Sequence, residues 1–203
     1  MMIKFDYKKN KGFSIGEVIL SVFILGVTML TILSLYSQGL RSFQDERDSV
    51  IAAMLAQEGV ELARNIRDNN WAKRDAVDDT DPGAFDLFDV SSGGAENDCR
   101  VSYDSYTINA DNEIEYDNPA ISCDVASSDY VLNISGNFYT HRSGTPTKFR
   151  RKLVLDYLDI ENLIVKSFVS WDNANPPDNI SECTVESKCV FSQTTLTEWG
   201  TGT

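Results

Sequence analysis

With 203 residues, 42% of them hydrophobic and 24% charged, the chain is long enough for one domain with a core plus an appended element, and too apolar to be disordered. Its formal net charge of −13 disfavours a nucleic-acid-binding surface, because phosphate would be repelled at long range. Residues 1–12 run against that acidic background: Lys4, Lys8, Lys9 and Lys11 face only Asp6, and a basic head on an acidic body is a topological signal.

From Val18 to Leu40 no residue is charged. These 23 positions, at roughly 1.5 Å each, make a helix of about 34 Å, enough for a bilayer core. The lysines on the N-terminal side keep the head in the cytoplasm and send the acidic body outside. The run is too long for an ordinary secretory signal, and Leu33-Ser34-Leu35 and Ser37-Gln38-Gly39 are poor cleavage sites. A lipoprotein signal would need a cysteine just after the run, and the first is Cys99. A plain signal anchor fits the length but leaves Glu17 unexplained.

Glu17 stands one position before the apolar run. A carboxylate there costs on the order of a few kcal/mol if carried deeper into the membrane, and it implies a partner. The plain alternative is a first-turn acidic residue resting at headgroup level. The string Gly12-Phe13-Ser14-Ile15-Gly16-Glu17 closely resembles the processing site of type IV prepilins: a basic leader ending in glycine, then phenylalanine, then glutamate as fifth residue of the mature chain. The resemblance implies that prepilin peptidase cuts between Gly12 and Phe13 and methylates the new amine at Phe13. It also implies a role for Glu17, which would pair with the Phe13 amine of a neighbouring subunit, so that its charge is neutralised only in correct register. The implied partners are prepilin peptidase, other pilin subunits, the inner-membrane assembly platform and the membrane itself.

Beyond the apolar run the pattern turns amphipathic. Ile51, Leu55, Leu62 and Ile66 share one face between Arg41 and Asn70. No proline interrupts Phe13 to Trp71, which permits one continuous helix of about 90 Å. The run from Gln57 to Trp71 resembles the corresponding segment of PilV-type minor pilins. Gly26 falls where pilins often carry a helix-loosening glycine. Ser34 stands where major pilins usually have proline, a departure that points to a minor subunit.

The organisation expected is therefore a cleaved leader (1–12), a transmembrane and polymerisation helix (13–40), its amphipathic continuation (41–71) and an extracytoplasmic β-rich head (72–203). Residues 72–98 read as a loop. Within it Asp78–Gly83 lacks the alternating oxygen ligands of an EF-hand loop, so solvated loop outweighs calcium binding; calcium in the head has only the precedent of some related pseudopilins. Segments 100–108, 130–139, 148–157, 163–171 and 189–196 are rich in β-branched and aromatic residues and read as strands. The turn Arg142–Pro146 separates the second and third, and a loop with Pro176-Pro177 separates the last two. The fold class expected is α+β, with an antiparallel sheet laid on the helix, as in the pilin fold. Lys148, Arg150, Arg151 and Lys152 form a basic cluster that reads as the solvated face of a strand. The ending from Val169 to Trp199 again resembles PilV-type heads.

Cys99, Cys123, Cys183 and Cys189 include no CxxC pair, and the single histidine, His141, is distant in sequence, so a zinc site is disfavoured. Their even number and the extracytoplasmic context favour two disulfides over four thiols in a reducing compartment. Of three connectivities, pairing of neighbours is preferred, and the resemblance points the same way, since pilin heads commonly carry a disulfide near the C-terminus. His141, beside a turn, reads as an exposed surface residue and not as a general base. With no nucleophile elbow and no phosphate-cradling loop, no enzyme is expected. The resemblance implies a minor pilin or pseudopilin that enters a cell-surface filament. The alternative is a signal-anchored extracytoplasmic binding or adhesion domain that never polymerises.

Overall fold

The computed structural model describes Gly12, residues 14–73, Phe85, Phe88, and residues 97–102, 106–108, 114–116, 120–123, 126–159 and 161–198. The basic leader before Gly12, Phe13, the Asp78–Gly83 segment and Trp199 lie outside them. The chain divides into two compact units, one ending at Glu46 and the other beginning at Arg47. Helix α1 (Ile15–Lys73) contributes to both. The architecture is α+β: one long apolar N-terminal helix and a C-terminal antiparallel sheet that does not close.

The first unit is helical throughout its described length, apart from the residues that lead into α1. No proline interrupts it, and every described residue there is exposed. The second unit is built on the strands β1 (Asn97–Val101), β4 (Ile121–Cys123), β5 (Val131–Ser135), β6 (Phe138–Thr140), β7 (Thr145–Tyr157), β8 (Asn162–Ser170) and β9 (Cys189–Thr197). Separately, β2 (Tyr106–Ile108) pairs antiparallel with β3 (Ile114–Tyr116). The 13-residue β7 organises the sheet. One of its edges pairs with β8 and, through it, β9. The other edge is shared along its length, with β5 and β6 beside the first half and β1 and β4 beside the second.

Alternation along β7 and β8 assigns two faces. Phe149, Leu153 and Leu155 of β7, with Leu163, Val165 and Val169 of β8, pack against Ala52, Leu55, Ala56, Ala63 and Ile66 of α1. The opposite face carries Val154 and Phe168, covered by Ile180 and the Cys183–Cys189 disulfide. The second disulfide joins Cys99 to Cys123, which stand directly opposite each other on β1 and β4. Both bridges join sequence neighbours, the connectivity preferred from the sequence.

Two expected strands are broken. Segment 130–139 is not one strand but the hairpin β5–β6, turned at Gly136 and Asn137. Gly136 adopts φ +62°, which a glycine takes without steric cost. Segment 100–108 divides into β1 and β2. The later strands correspond to β7, β8 and β9 within a few residues.

Candidate functional site

The processing and assembly residues lie where α1 begins. Gly12 is exposed, and Phe13 is outside the described residues. The Ser14 carbonyl accepts from the backbone N–H groups of Glu17 (3.0 Å) and Val18 (3.2 Å), which starts the first turn. Glu17 is in that turn, where a negative charge complements the helix dipole. Its exposed carboxylate has no ion-pair or hydrogen-bond partner among the described residues.

Beyond Glu17 the helix presents hydrocarbon on all sides. Phe23, Leu25, Leu30, Leu33 and Leu35 are representative, each more than half exposed. Leaving one such side chain in water instead of burying it costs about 1.5–3 kcal/mol, so the stretch as a whole requires an apolar surrounding worth tens of kcal/mol. Three of its hydroxyls are satisfied internally: Ser21 donates to the carbonyls of Glu17 and Val18, Thr28 to Leu25, and Thr31 to Thr28, all within 2.9 Å. The helix is long and apolar enough to cross a membrane, and its backbone and these hydroxyls ask nothing of a hydrocarbon solvent.

The other half of α1 is seated on the sheet by small residues. Ala52, Ala56, Gly59 and Ala63 form the centre of the buried stripe, with Leu55, Ile66 and Asn70 continuing it. Ile51 and Leu62, expected on the same face, lie at its margins, partly buried. At Gly59 a Cβ would come within 2.4 Å of Ser167 Oγ and 3.1 Å of Arg151 Cδ, so the close approach of helix to sheet requires glycine there.

Arg151 bridges these layers and is fully buried. It donates to the Leu55 carbonyl (3.3 Å), the Val101 carbonyl (2.9 Å) and the Glu58 carboxylate (3.2 Å). Burial pulls its pKa down and Glu58 opposes that pull. On the opposite face Lys152 is equally buried and lies between Asp178 (2.5 Å) and Asp98 (3.2 Å). Tyr130 is pushed up to about 12, first by burial and then by Asp98. Lys148 pairs with Asp48 of the helix, and Arg150 donates to Asn175 (2.6 Å). The basic run is therefore not a solvated strand face: all four cations have partners within the second unit, and two are buried. The alternation of Phe149, Leu153 and Leu155 was the signal that Arg151 must also point inward.

His141 also departs from expectation. It is part-buried, with Nδ1 2.9 Å from the Asp129 carbonyl and Nε2 shielded from solvent without a partner. Burial first, then the Arg151 charge, lower its pKa to about 3, so the ring is neutral at pH 7. Among the described residues no group of His, Cys, Asp or Glu is arranged to hold a metal ion. The Asp78–Gly83 segment weighed for calcium is not among them.

A search of family models, of curated proteins and of solved structures finds no match to this chain.

Proposed function

We propose that the chain is a non-enzymatic structural subunit, a minor pilin or pseudopilin, of a type IV pilus-like filament, anchored with its N-terminus inside and its head outside before assembly. The observation that carries this reading is the bare apolar first part of α1 headed by a single unpartnered carboxylate, Glu17. A helix of this kind needs lipid, or copies of itself, around its whole circumference. The carboxylate needs a cation that the described residues do not supply. An amine freed at Phe13 of a neighbouring subunit answers that need, and the sequence Gly12–Glu17 places the cut that would free it. The two disulfides suit an oxidising compartment outside the cytoplasmic membrane.

The test is mass spectrometry of the mature N-terminus of protein taken from the native cell envelope. A chain beginning at N-methylated Phe13 supports processing by a prepilin peptidase and makes filament assembly the working model. A chain still beginning at Met1 refutes it and leaves the signal-anchored binding domain as the reading.

A further inference from the structure

β9 is an edge strand, paired with β8 on one side through an unbroken register from Ser170↔Cys189 to Asn162↔Thr197. The flanking bonds fix which of its residues point outward. Trp171 N–H donates to the Lys188 carbonyl and Glu198 N–H to the Glu161 carbonyl, so the even-numbered residues of β9 bond toward β8. The odd-numbered residues point their backbone groups away. At the two ends these are capped: Cys189 N–H donates to the Thr184 carbonyl, and the Thr197 carbonyl accepts from Arg67. Between the caps, the outward N–H and C=O groups of Phe191, Gln193 and Thr195 have no partner among the described residues, and all three residues are exposed.

Proteins ordinarily protect such an edge with a lysine, a proline, a bulge or a short strand. β9 has none of these: it is nine residues long, regular, and uncharged from Cys189 to Thr197. In a chain of net charge −13, an uncharged strip is where a second acidic copy can approach with least repulsion. The outward pattern is also self-complementary. In an antiparallel pair centred on Gln193, that residue faces its own copy and Phe191 faces Thr195, and all three residues satisfy both outward groups at once. From this we infer that the β9 edge is a self-pairing surface, joining the heads of two copies through an isologous antiparallel strand pair. The inference does not rest on the filament reading, because it concerns the head alone.

The experiment uses the full-length protein in its membrane and tests Gln193→Cys, with Leu158→Cys, exposed at the β7–β8 turn, as the collision control. Facing residues of a hydrogen-bonded antiparallel pair have Cα atoms about 5.5 Å apart, within disulfide range. Under mild oxidation Gln193→Cys is expected to give a disulfide-linked homodimer and Leu158→Cys to stay monomeric. Adding Thr195→Pro removes an outward N–H without touching the β8 ladder, and the dimer should be lost. Thr195→Lys should also reduce it, without constraining the backbone. A dimer that persists through both second substitutions, or forms equally from Leu158→Cys, overturns the proposal. So does a failure of Gln193→Cys to cross-link, or its capture of a different protein in place of a second copy.

Discussion

Gly59→Ala sets helix propensity against packing, and the distances decide which wins. In an exposed helix the change would stabilise by about 1 kcal/mol. Here the new methyl would lie 2.4 Å from Ser167 Oγ, 3.2 Å from Ser167 Cβ and 3.1 Å from Arg151 Cδ. The Ser167 hydroxyl has no hydrogen-bond partner and can rotate away. Its Cβ is fixed by the strand, and Arg151 is held by three acceptors, so neither of the other contacts is relieved cheaply. Overpacking a tight site costs about 1–3 kcal/mol, and two unrelieved contacts put this site in the upper part of that range, about 2–3 kcal/mol; less the propensity gain, the net loss is about 1–2 kcal/mol. Ser167→Ala alone removes an unsatisfied buried hydroxyl and should be nearly neutral. Combined with Gly59→Ala it removes only the contact that rotation of the hydroxyl already relieves, while Ser167 Cβ and Arg151 Cδ stay in place, so the double variant should recover little of the loss. Urea denaturation of the full chain in detergent, read as a double-mutant cycle, measures each quantity. A Gly59→Ala protein as stable as the parent, or more so, would refute the reasoning.

Other expectations follow from the same structure. His141 is neutral in the fold, with a pKa of about 3 against the usual 6.5, so its contribution is complete above pH 6.5 and is lost as pH falls toward 3. Over that window it tilts stability by up to about 1.4 kcal/mol per pH unit, and His141→Gln should flatten the pH dependence of the urea midpoint; an unchanged slope would count against this. Replacing Cys99 and Cys123 by alanine opens a 24-residue separation and should cost about 3 kcal/mol, more than the roughly 2 kcal/mol for Cys183 and Cys189, six apart; reversed melting shifts would contradict the ranking. Glu17→Ala should be processed normally yet enter filaments poorly, as read by the ratio of filament-bound to membrane protein; normal incorporation would end the pairing argument. Gly12→Glu should block maturation, and a product of mature size on a gel would remove the assigned cut site.

What could be read from the sequence follows from how local each cause is. The uncharged run from Val18 to Leu40 declares itself without any partner, and β7, β8 and β9 are long enough for β-branched composition to reveal them. The β5–β6 hairpin was hidden because Phe138 and Tyr139 continue the apolar character of Val131–Ile134. Only the Gly136-Asn137 pair marked the turn. β3 and β4 have three residues each, too few for a periodicity, and are defined by pairing alone. The buried charges were misread for a related reason. Composition shows that a lysine or arginine is present, while its direction depends on register, and one residue of shift exchanges Arg151 for Lys152 between two faces. The exposure expected for His141 failed similarly: its position beside a turn is local, but the shell formed by Asp129, Ser102 and Arg151 is not.

The two parts of α1 differ in a way that opposes ordinary burial. Leucine, isoleucine and phenylalanine crowd the first part, where nothing in the described chain covers them, whereas alanine and glycine form the stripe that the sheet covers. In a helix that served only its own domain the large residues would be expected on the covered face, since burial of large side chains is what stabilises a core. The small stripe works at the head because Phe149, Leu132 and Trp171 bring the volume from the other side, and close contact then fixes the seat of the helix. The large residues of the first part therefore answer to an apolar environment beyond this chain. A lipid bilayer meets the need of the hydrocarbon. It tolerates Glu17 only at headgroup level, where the helix dipole favours the charge, and makes that charge costlier if it is carried deeper. A second protein chain that supplies a cation at the depth of Glu17 meets both needs, and this makes subunit assembly a stronger reading than anchoring alone.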